Sequence, residues 1–435
     1  MRFWGIIGAT VIGCAAAAEV PAPITDADYM DLDMAQVRLG QMLFYDPILS
    51  GNRNISCATC HHPKFATADG VSLSLGEGGI GLGPDRHASA DNTPEQRIPR
   101  NAPALFNLGA HEFTVMFHDG RIEVDPSKPG GLRTPMGAEM TQGFANLLSA
   151  QTMFPVLSAD EMAGHYSEND VAQAVRQGRI TGQGGAWGKL SARVSETPGY
   201  APLIAEAFPE VENLTFTDIS DAIAAFVAFE WRSDTSAFDA YLRGSADMPA
   251  AAKLGMDLFY GEGGCSTCHT GKFQTDHDFH AMGVPQFGPG KAARFESHAR
   301  DLGRMRVTGR EADAYAFRTP SLRNVVQTGP YGHTGSHSDL AQFILDHASP
   351  IDALDRFDRS DVVLPDLPEV DDWRHVNDPV EQAALREAIA LSPVTLDPPD
   401  VAALVAFLEQ LSDPVALEGR LGIPVAVPSG LPIDR

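Results

Sequence analysis

Two short stretches of this 435-residue chain hold all but one of its cysteines: Cys57-Ala58-Thr59-Cys60-His61 and Cys265-Ser266-Thr267-Cys268-His269. Five cysteines and fourteen histidines in this length would not produce that pattern twice by chance. A redox dithiol needs no histidine after it, and a zinc site gathers four ligands in one place. Covalent attachment of haem c uses every residue. The thiols form thioethers with the haem vinyl groups, and the adjacent histidine is held at the iron as its proximal ligand. The sequence therefore predicts two haem c groups, one at Cys57, Cys60 and His61 and one at Cys265, Cys268 and His269.

The elements that must position these motifs are repeated as well. Leu39-Gly40-Gln41-Met42-Leu43-Phe44-Tyr45 precedes the first and Leu254-Gly255-Met256-Asp257-Leu258-Phe259-Tyr260 the second, and both read as helices. Further along, Pro103-Ala104-Leu105-Phe106-Asn107 is answered by Pro320-Ser321-Leu322-Arg323-Asn324, and His118-Asp119-Gly120 by His333-Thr334-Gly335. An Ala-rich amphipathic stretch also recurs, Ala224 to Phe229 and Ala402 to Phe407, with Asp221 and Asp400 near the helix starts. The expected fold is mostly α: two cytochrome c-like haem domains related by duplication, residues 24–245 and 246–420. Residues 76–103 are rich in Gly, Pro and Asn, and 122–138 and 350–398 in Pro and Asp; they read as loops or short helices, with little sheet. A haem adds apolar surface that lets such a loop-rich domain hold together.

Composition narrows the function. Hydrophobic residues at 43% and charged residues at 20% fit a globular protein, and 57 Asp and Glu against 32 Lys and Arg give a net charge of −25. That sign disfavours nucleic acid and anionic lipid as partners. Residues 1–18 read as a signal peptide: Arg2, an apolar run from Phe3 to Gly13, then small residues from Ala15 to Ala18. Val11-Ile12-Gly13-Cys14 also fits a lipoprotein processing site, with a lipid anchor at Cys14 as the competing outcome. No other stretch approaches the ~20 apolar residues of a membrane span.

Taken in order, the first haem motif, Arg100-Asn101-Ala102-Pro103, Phe117-His118-Asp119-Gly120-Arg121, the second haem motif, Phe317-Arg318-Thr319-Pro320 and Gly329-Pro330-Tyr331-Gly332-His333 resemble the bacterial di-haem cytochrome c peroxidase and MauG family over nearly the whole chain. The resemblance implies a periplasmic enzyme. Its N-terminal haem meets hydrogen peroxide, and its C-terminal haem passes electrons from a small carrier, a cytochrome c or a cupredoxin.

It also implies roles for particular residues. Family peroxidases that need reductive activation carry a histidine about sixteen residues after the first proximal histidine; that position here is Glu77, so the first iron is expected to be open, with His87 as the alternative cap. The family's proton-shuttling glutamate follows a proline by six residues, which maps to Glu161 after Pro155, with Gln151 just upstream. An apolar haem pocket would raise its pKa toward neutrality, as a shuttle requires. At the second haem the family uses a methionine or a tyrosine, but the chain has no Met after Met305 and no Tyr after Tyr331. The family's spacing from Tyr331 reaches His347, the expected sixth ligand, with His333, His337 and His375 in reserve. The inter-haem tryptophan is replaced by His118, which is harder to oxidise. Asn101, Thr328 and Pro330 match the family's calcium ligands, oxygen donors suited to a hard cation.

Three functions follow for comparison. The first is a peroxidase supplied by a small electron carrier. The second is a MauG-type oxidase that modifies aromatic residues of a partner protein, and the third a non-enzymatic di-haem electron carrier. Glu161 and an uncapped first iron count against the third.

Overall fold

The computed structural model describes residues 20–140, 142–291 and 300–435. The segment read as a signal peptide, with Cys14, lies outside the described residues.

Two helix pairs form the scaffold. Met34–Tyr45 packs on Phe216–Glu230 in the first half, and Ala250–Tyr260 on Pro398–Glu409 in the second. One glycine sets the close approach in each pair. A Cβ on Gly40 would lie 1.9 Å from the Ala222 carbonyl oxygen and 2.9 Å from Phe226 Cβ. On Gly255 it would lie 1.9 Å from the Ala403 oxygen and 2.9 Å from Phe407 Cβ. Only glycine admits a backbone that near. The aromatic residues ending the leading helices fill the same places: Phe44 sits 5.4 Å from Phe226, and Phe259 5.2 Å from Phe407. The duplication read in the sequence is thus repeated in the packing.

The caps differ from expectation in one half. Asp400 does lie near the start of Pro398–Glu409, where it pairs reciprocally with the cap residue Asp397. Phe216–Glu230 begins earlier than its Ala-rich run suggested, capped by Thr215 and Asp218. Asp221 lies inside that helix and instead accepts hydrogen bonds from Ala145 N (2.9 Å) and the Ser149 hydroxyl.

Strands are short, as the sequence implied. Gly79–Ile80 pairs with His87–Ala88, and Phe279–His280 with Phe317–Arg318. Val115–Met116, Ile122–Val124 and Leu132–Arg133 form an antiparallel triplet, so part of the stretch read as loop is strand. Residues 350–398 supply the short helices Pro350–Arg356, Arg374–Asn377 and Pro379–Ala388.

The chain then returns to its first half. Gln41 Nε2 donates to Gly422 O (2.8 Å), the Glu230 carboxylate accepts from Leu421 N and Gly422 N (2.7 Å each), and Ser429 Oγ donates to Asp46 (2.6 Å). Thr59, inside the first cysteine motif, donates to Asp434 at 2.6 Å.

Candidate functional site

Both cysteine motifs sit on single turns that direct the following histidine inward. Cys57–Cys60 is one turn of helix beginning after Ser56, and Cys265–Thr267 a 3₁₀ turn. His61 Nδ1 donates to Thr67 O at 2.9 Å, and His269 Nδ1 to Gln274 O at 3.0 Å. With Nδ1 committed in the same way at both sites, Nε2 is the ring nitrogen left to bind a metal. Burial lowers the pKa of both imidazoles, which keeps the neutral, ligating form. The four thiols are free rather than paired in disulfides, and burial pushes Cys57 and Cys60 up to about 12 and Cys265 to about 11.

Beside the first motif opens a largely apolar cavity of roughly 200 Å³. Cys57, Cys60 and His61 line it, as do Gln151, Pro155 and Glu161. Asn146 caps the helix Leu147–Thr152 that carries Gln151, and Pro155 opens the next turn, Pro155–Leu157. Trp187 Nε1 fixes the junction by donating to Met153 O at 2.9 Å. Glu161 follows on a π-turn, Ala159–Ala163, its amide held by Ser158 Oγ at 3.3 Å. Such turns aim a side chain out of the regular helical path and are frequent at functional sites. Burial raises the Glu161 pKa, opposed by the positive charge of Lys291 and Arg121. Gln151 lines the cavity, and its Oε1 is buried with no hydrogen-bond partner among the described residues, a polar atom left for something else to satisfy. Paired thiols, an oriented imidazole and an apolar space with a few polar groups are a donor set that fits a haem c.

The positions weighed as caps lie elsewhere. Glu77 is buried, its Oε1 accepting from Asn52 and Asn54 at 2.8 Å and Asn92 at 3.2 Å, so it ties loops together and does not line the cavity. His87 is exposed on a short strand.

His118 does line the cavity, at the junction of the halves. Its Nε2 donates to Asn101 O at 3.1 Å, and its carbonyl accepts from Arg318 N at 2.8 Å. Burial, with the positive charge of Arg100 nearby, holds its pKa down at about 4. Asp119 next to it bridges Arg100 (2.9 Å) and Arg121 (3.0 Å), and Arg100 also holds Asp301 at 2.6 Å. His333 stacks on Phe317 with ring centres 3.6 Å apart, and its carbonyl accepts from Asn101 N at 2.9 Å. Asn101 Nδ2 donates to Val71 O at 2.8 Å; Thr328 and Pro330 flank the turn at Gly329.

At the second motif, His347 at the end of Leu340–Ala348 brings its ring centre to 6.3 Å from that of His269. His337 has both nitrogens engaged, by Ser336 Oγ at 2.7 Å and Asp346 Oδ2 at 3.0 Å. Among the described residues, His347 is the histidine in ring contact with His269.

Lys291 and Arg318 also line the first cavity, and reading the sequence singled out neither for a role there. Lys291 follows the loop Gly288-Pro289-Gly290 and Arg318 ends a short strand, and only the fold brings both to the cavity.

Duplicated helix pairs and two haem-attachment motifs define a di-haem c-type protein. The profile of the family described as di-haem cytochrome c peroxidase matches residues 34–247. The methylamine utilization protein MauG of Methylorubrum extorquens is 31% identical over 315 residues, 72% of this chain and 68% of that one. The cytochrome c551 peroxidase of Nitrosomonas europaea is 29% identical over 333 residues, 76% and 78% of the two chains. Among solved structures, the diheme peroxidase BthA from Burkholderia thailandensis shares the fold with a TM-score of 0.58 at 20% identity, over 96% of this chain and 94% of that one. A MauG-like protein associated with microbial copper homeostasis does so with a TM-score of 0.57 at 24% identity, over 94% and 97%. The chain belongs to the di-haem cytochrome c peroxidase and MauG family, and is a peroxidase-type oxidoreductase.

Proposed function

We propose that the chain reacts with hydrogen peroxide at a haem held by Cys57, Cys60 and His61, and passes electrons through a second haem held by Cys265, Cys268, His269 and His347. The observation that carries this reading is the asymmetry between the two sites. The first motif faces a cavity with a carboxyl and an unpartnered amide, and the second faces another histidine. The bound haem iron would supply the peroxide-binding and electron-transfer chemistry.

The residues around it supply the proton chemistry. Glu161, facing apolar walls, would take a proton from the near oxygen of peroxide and return it to the far one. Its raised pKa makes it a stronger proton acceptor than an ordinary glutamate. Gln151 Oε1 would orient the peroxide by accepting its hydrogen. Pro155 removes a backbone N–H that would compete for it and stiffens the turn that aims Glu161. His118, neutral and tied to Asn101, would bridge the two halves by hydrogen bonds.

The electron source is a small carrier, a cytochrome c or a cupredoxin, outside the cytoplasm in the periplasm; Cys14 as a lipid anchor stays the competing outcome for the N-terminus. Among the described residues no helix is long and apolar enough to cross a membrane. A calcium ion at Asn101, Thr328 and Pro330 belongs to this proposal: with Nδ2 of Asn101 held by Val71, its side-chain oxygen is the atom a hard cation would take.

A MauG-type oxidation of a partner protein's aromatic residues is favoured by one observation: neither Glu77 nor His87 lines the cavity, and its second histidine, His118, has Nε2 committed to Asn101 O. Titrating the purified di-ferric protein with hydrogen peroxide, with and without a reduced carrier, separates the readings. Rapid turnover only with carrier supports the peroxidase, a long-lived oxidised state without it supports the protein oxidase, and no reaction in either arm would leave only electron transfer.

A further inference from the structure

Four cationic side chains line the first cavity: Arg100, Arg121, Lys291 and Arg318. Two have their counter-charges within the protein. Arg100 is bound by Asp301 and Asp119, and Arg121 by the same Asp119. The other two differ. Among the described residues, neither Arg318 nor Lys291 forms a salt bridge with a carboxylate.

Arg318 Nε donates to Phe117 O at 3.2 Å and Nη1 to Thr319 O at 3.3 Å, which leaves most of its five N–H groups without an acceptor. Burial alone brings its pKa down to about 10, with no anion to oppose it. Lys291 is brought down to about 8, chiefly by burial and then by the positive charges of Arg121 and Arg100; Glu161 and Asp119 oppose this only in part. Glu161 attracts Lys291 but forms no salt bridge with it among the described residues, and burial raises the pKa of its own carboxyl. Buried cations without anions are strongly unfavourable unless a ligand brings the anions. A haem has an apolar face and two carboxylate side chains on one edge, which is the charge this cavity lacks.

We propose that Arg318 and Lys291 are the counter-charges for the two carboxylates of the haem held at Cys57 and Cys60. This rests on the assignment of that haem made above. Both residues come from the second half of the chain, on the strand Phe317–Arg318 and on the loop that follows Pro289, whereas the thiols and His61 come from the first. The peroxide-reacting site is therefore assembled across the boundary between the duplicated halves.

The test uses the di-haem protein and its R318Q, K291Q and R318K variants. Two readouts are taken: the propionate bending bands of the high-spin haem by resonance Raman, and that haem's midpoint potential. Loss of a nearby cation favours ferric over ferrous iron, so R318Q and K291Q should each lower the potential and shift a propionate band. R318K should recover most of the potential but not the band, because an ammonium lacks the guanidinium fork. An unchanged low-spin signal from the second haem shows that the fold is intact, and K291Q, on a loop, serves if R318Q fails to fold. Unchanged bands and potential in both Gln variants would overturn the proposal, and a change in only one would remove the other residue from it. Mass spectrometry of the peptide containing Cys57 and Cys60 keeps the two layers apart: no haem on it defeats the underlying assignment, whereas haem present with unchanged spectra defeats only the role of Arg318 and Lys291.

Discussion

The ring centres of His269 and His347 lie 6.3 Å apart, with the ring planes tilted at 41°. Two imidazoles that bind one metal from opposite sides, each through a nitrogen about 2 Å from it, place their centres at about this separation. Nδ1 of His269 is already committed to Gln274, so the geometry suits ligation through Nε2.

We therefore predict one low-spin bis-histidine haem in the resting ferric protein, alongside one high-spin haem. EPR of His347→Ala should lose the low-spin signal and keep the high-spin one. A low-spin signal that survives this change would assign the sixth ligand to another residue.

Glu161→Gln keeps the shape of the side chain and removes its proton. Peroxide should still bind, with the subsequent oxidation slowed on the order of 10²–10⁴-fold. The wild-type rate should fall as pH drops, because the protonated carboxyl cannot accept the first proton. Its raised pKa places that fall at higher pH than an ordinary glutamate would. Stopped-flow rates across pH decide it; an acid limb that persists in the Gln variant would give the shuttle to another group.

Gly40→Ala and Gly255→Ala each push a methyl group into a facing carbonyl. Each should destabilise its own helix pair, on the order of 1–3 kcal/mol if the helices can part slightly. Thermal melts followed at each haem's absorbance should show that Gly40→Ala loosens the first site first and Gly255→Ala the second. Equal effects at both sites would mean that the halves unfold as one unit.

The processed chain should carry two haem masses. Cys57→Ala/Cys60→Ala should remove one and leave the low-spin spectrum, and Cys265→Ala/Cys268→Ala should do the reverse. Intact-mass analysis with optical spectra checks this, and a chain with one haem or a disulfide would be incompatible with it.

Much of the scaffold could be read before any coordinates. Cysteine spacing, Gly40 and Gly255, and the aromatic residues after them are legible because each recurs in both halves of the chain, although their partners, Ala222 and Phe226 or Ala403 and Phe407, lie far off in sequence. The start of the helix bearing Asp221 is not legible in the Ala-rich run, because its cap, Thr215 with Asp218, lies ahead of that run. Glu77 was read as a position lacking a histidine; its contacts with Asn52, Asn54 and Asn92 join residues whose proximity no spacing reveals. Lys291 and Arg318 escaped for the same reason, since their inward placement depends on where the second half docks. Residues beyond 420 had no assigned place because they pack on the half that lies farthest away in sequence.

The hydrogen bond between Thr59 and Asp434 ties the first thiol turn to a residue 375 positions away. The same closing segment holds Gln41, Asp46 and Glu230, so the helix pair and the turn share one clasp. A change within residues 421–434 would therefore be felt at Cys57 and Cys60 without touching either.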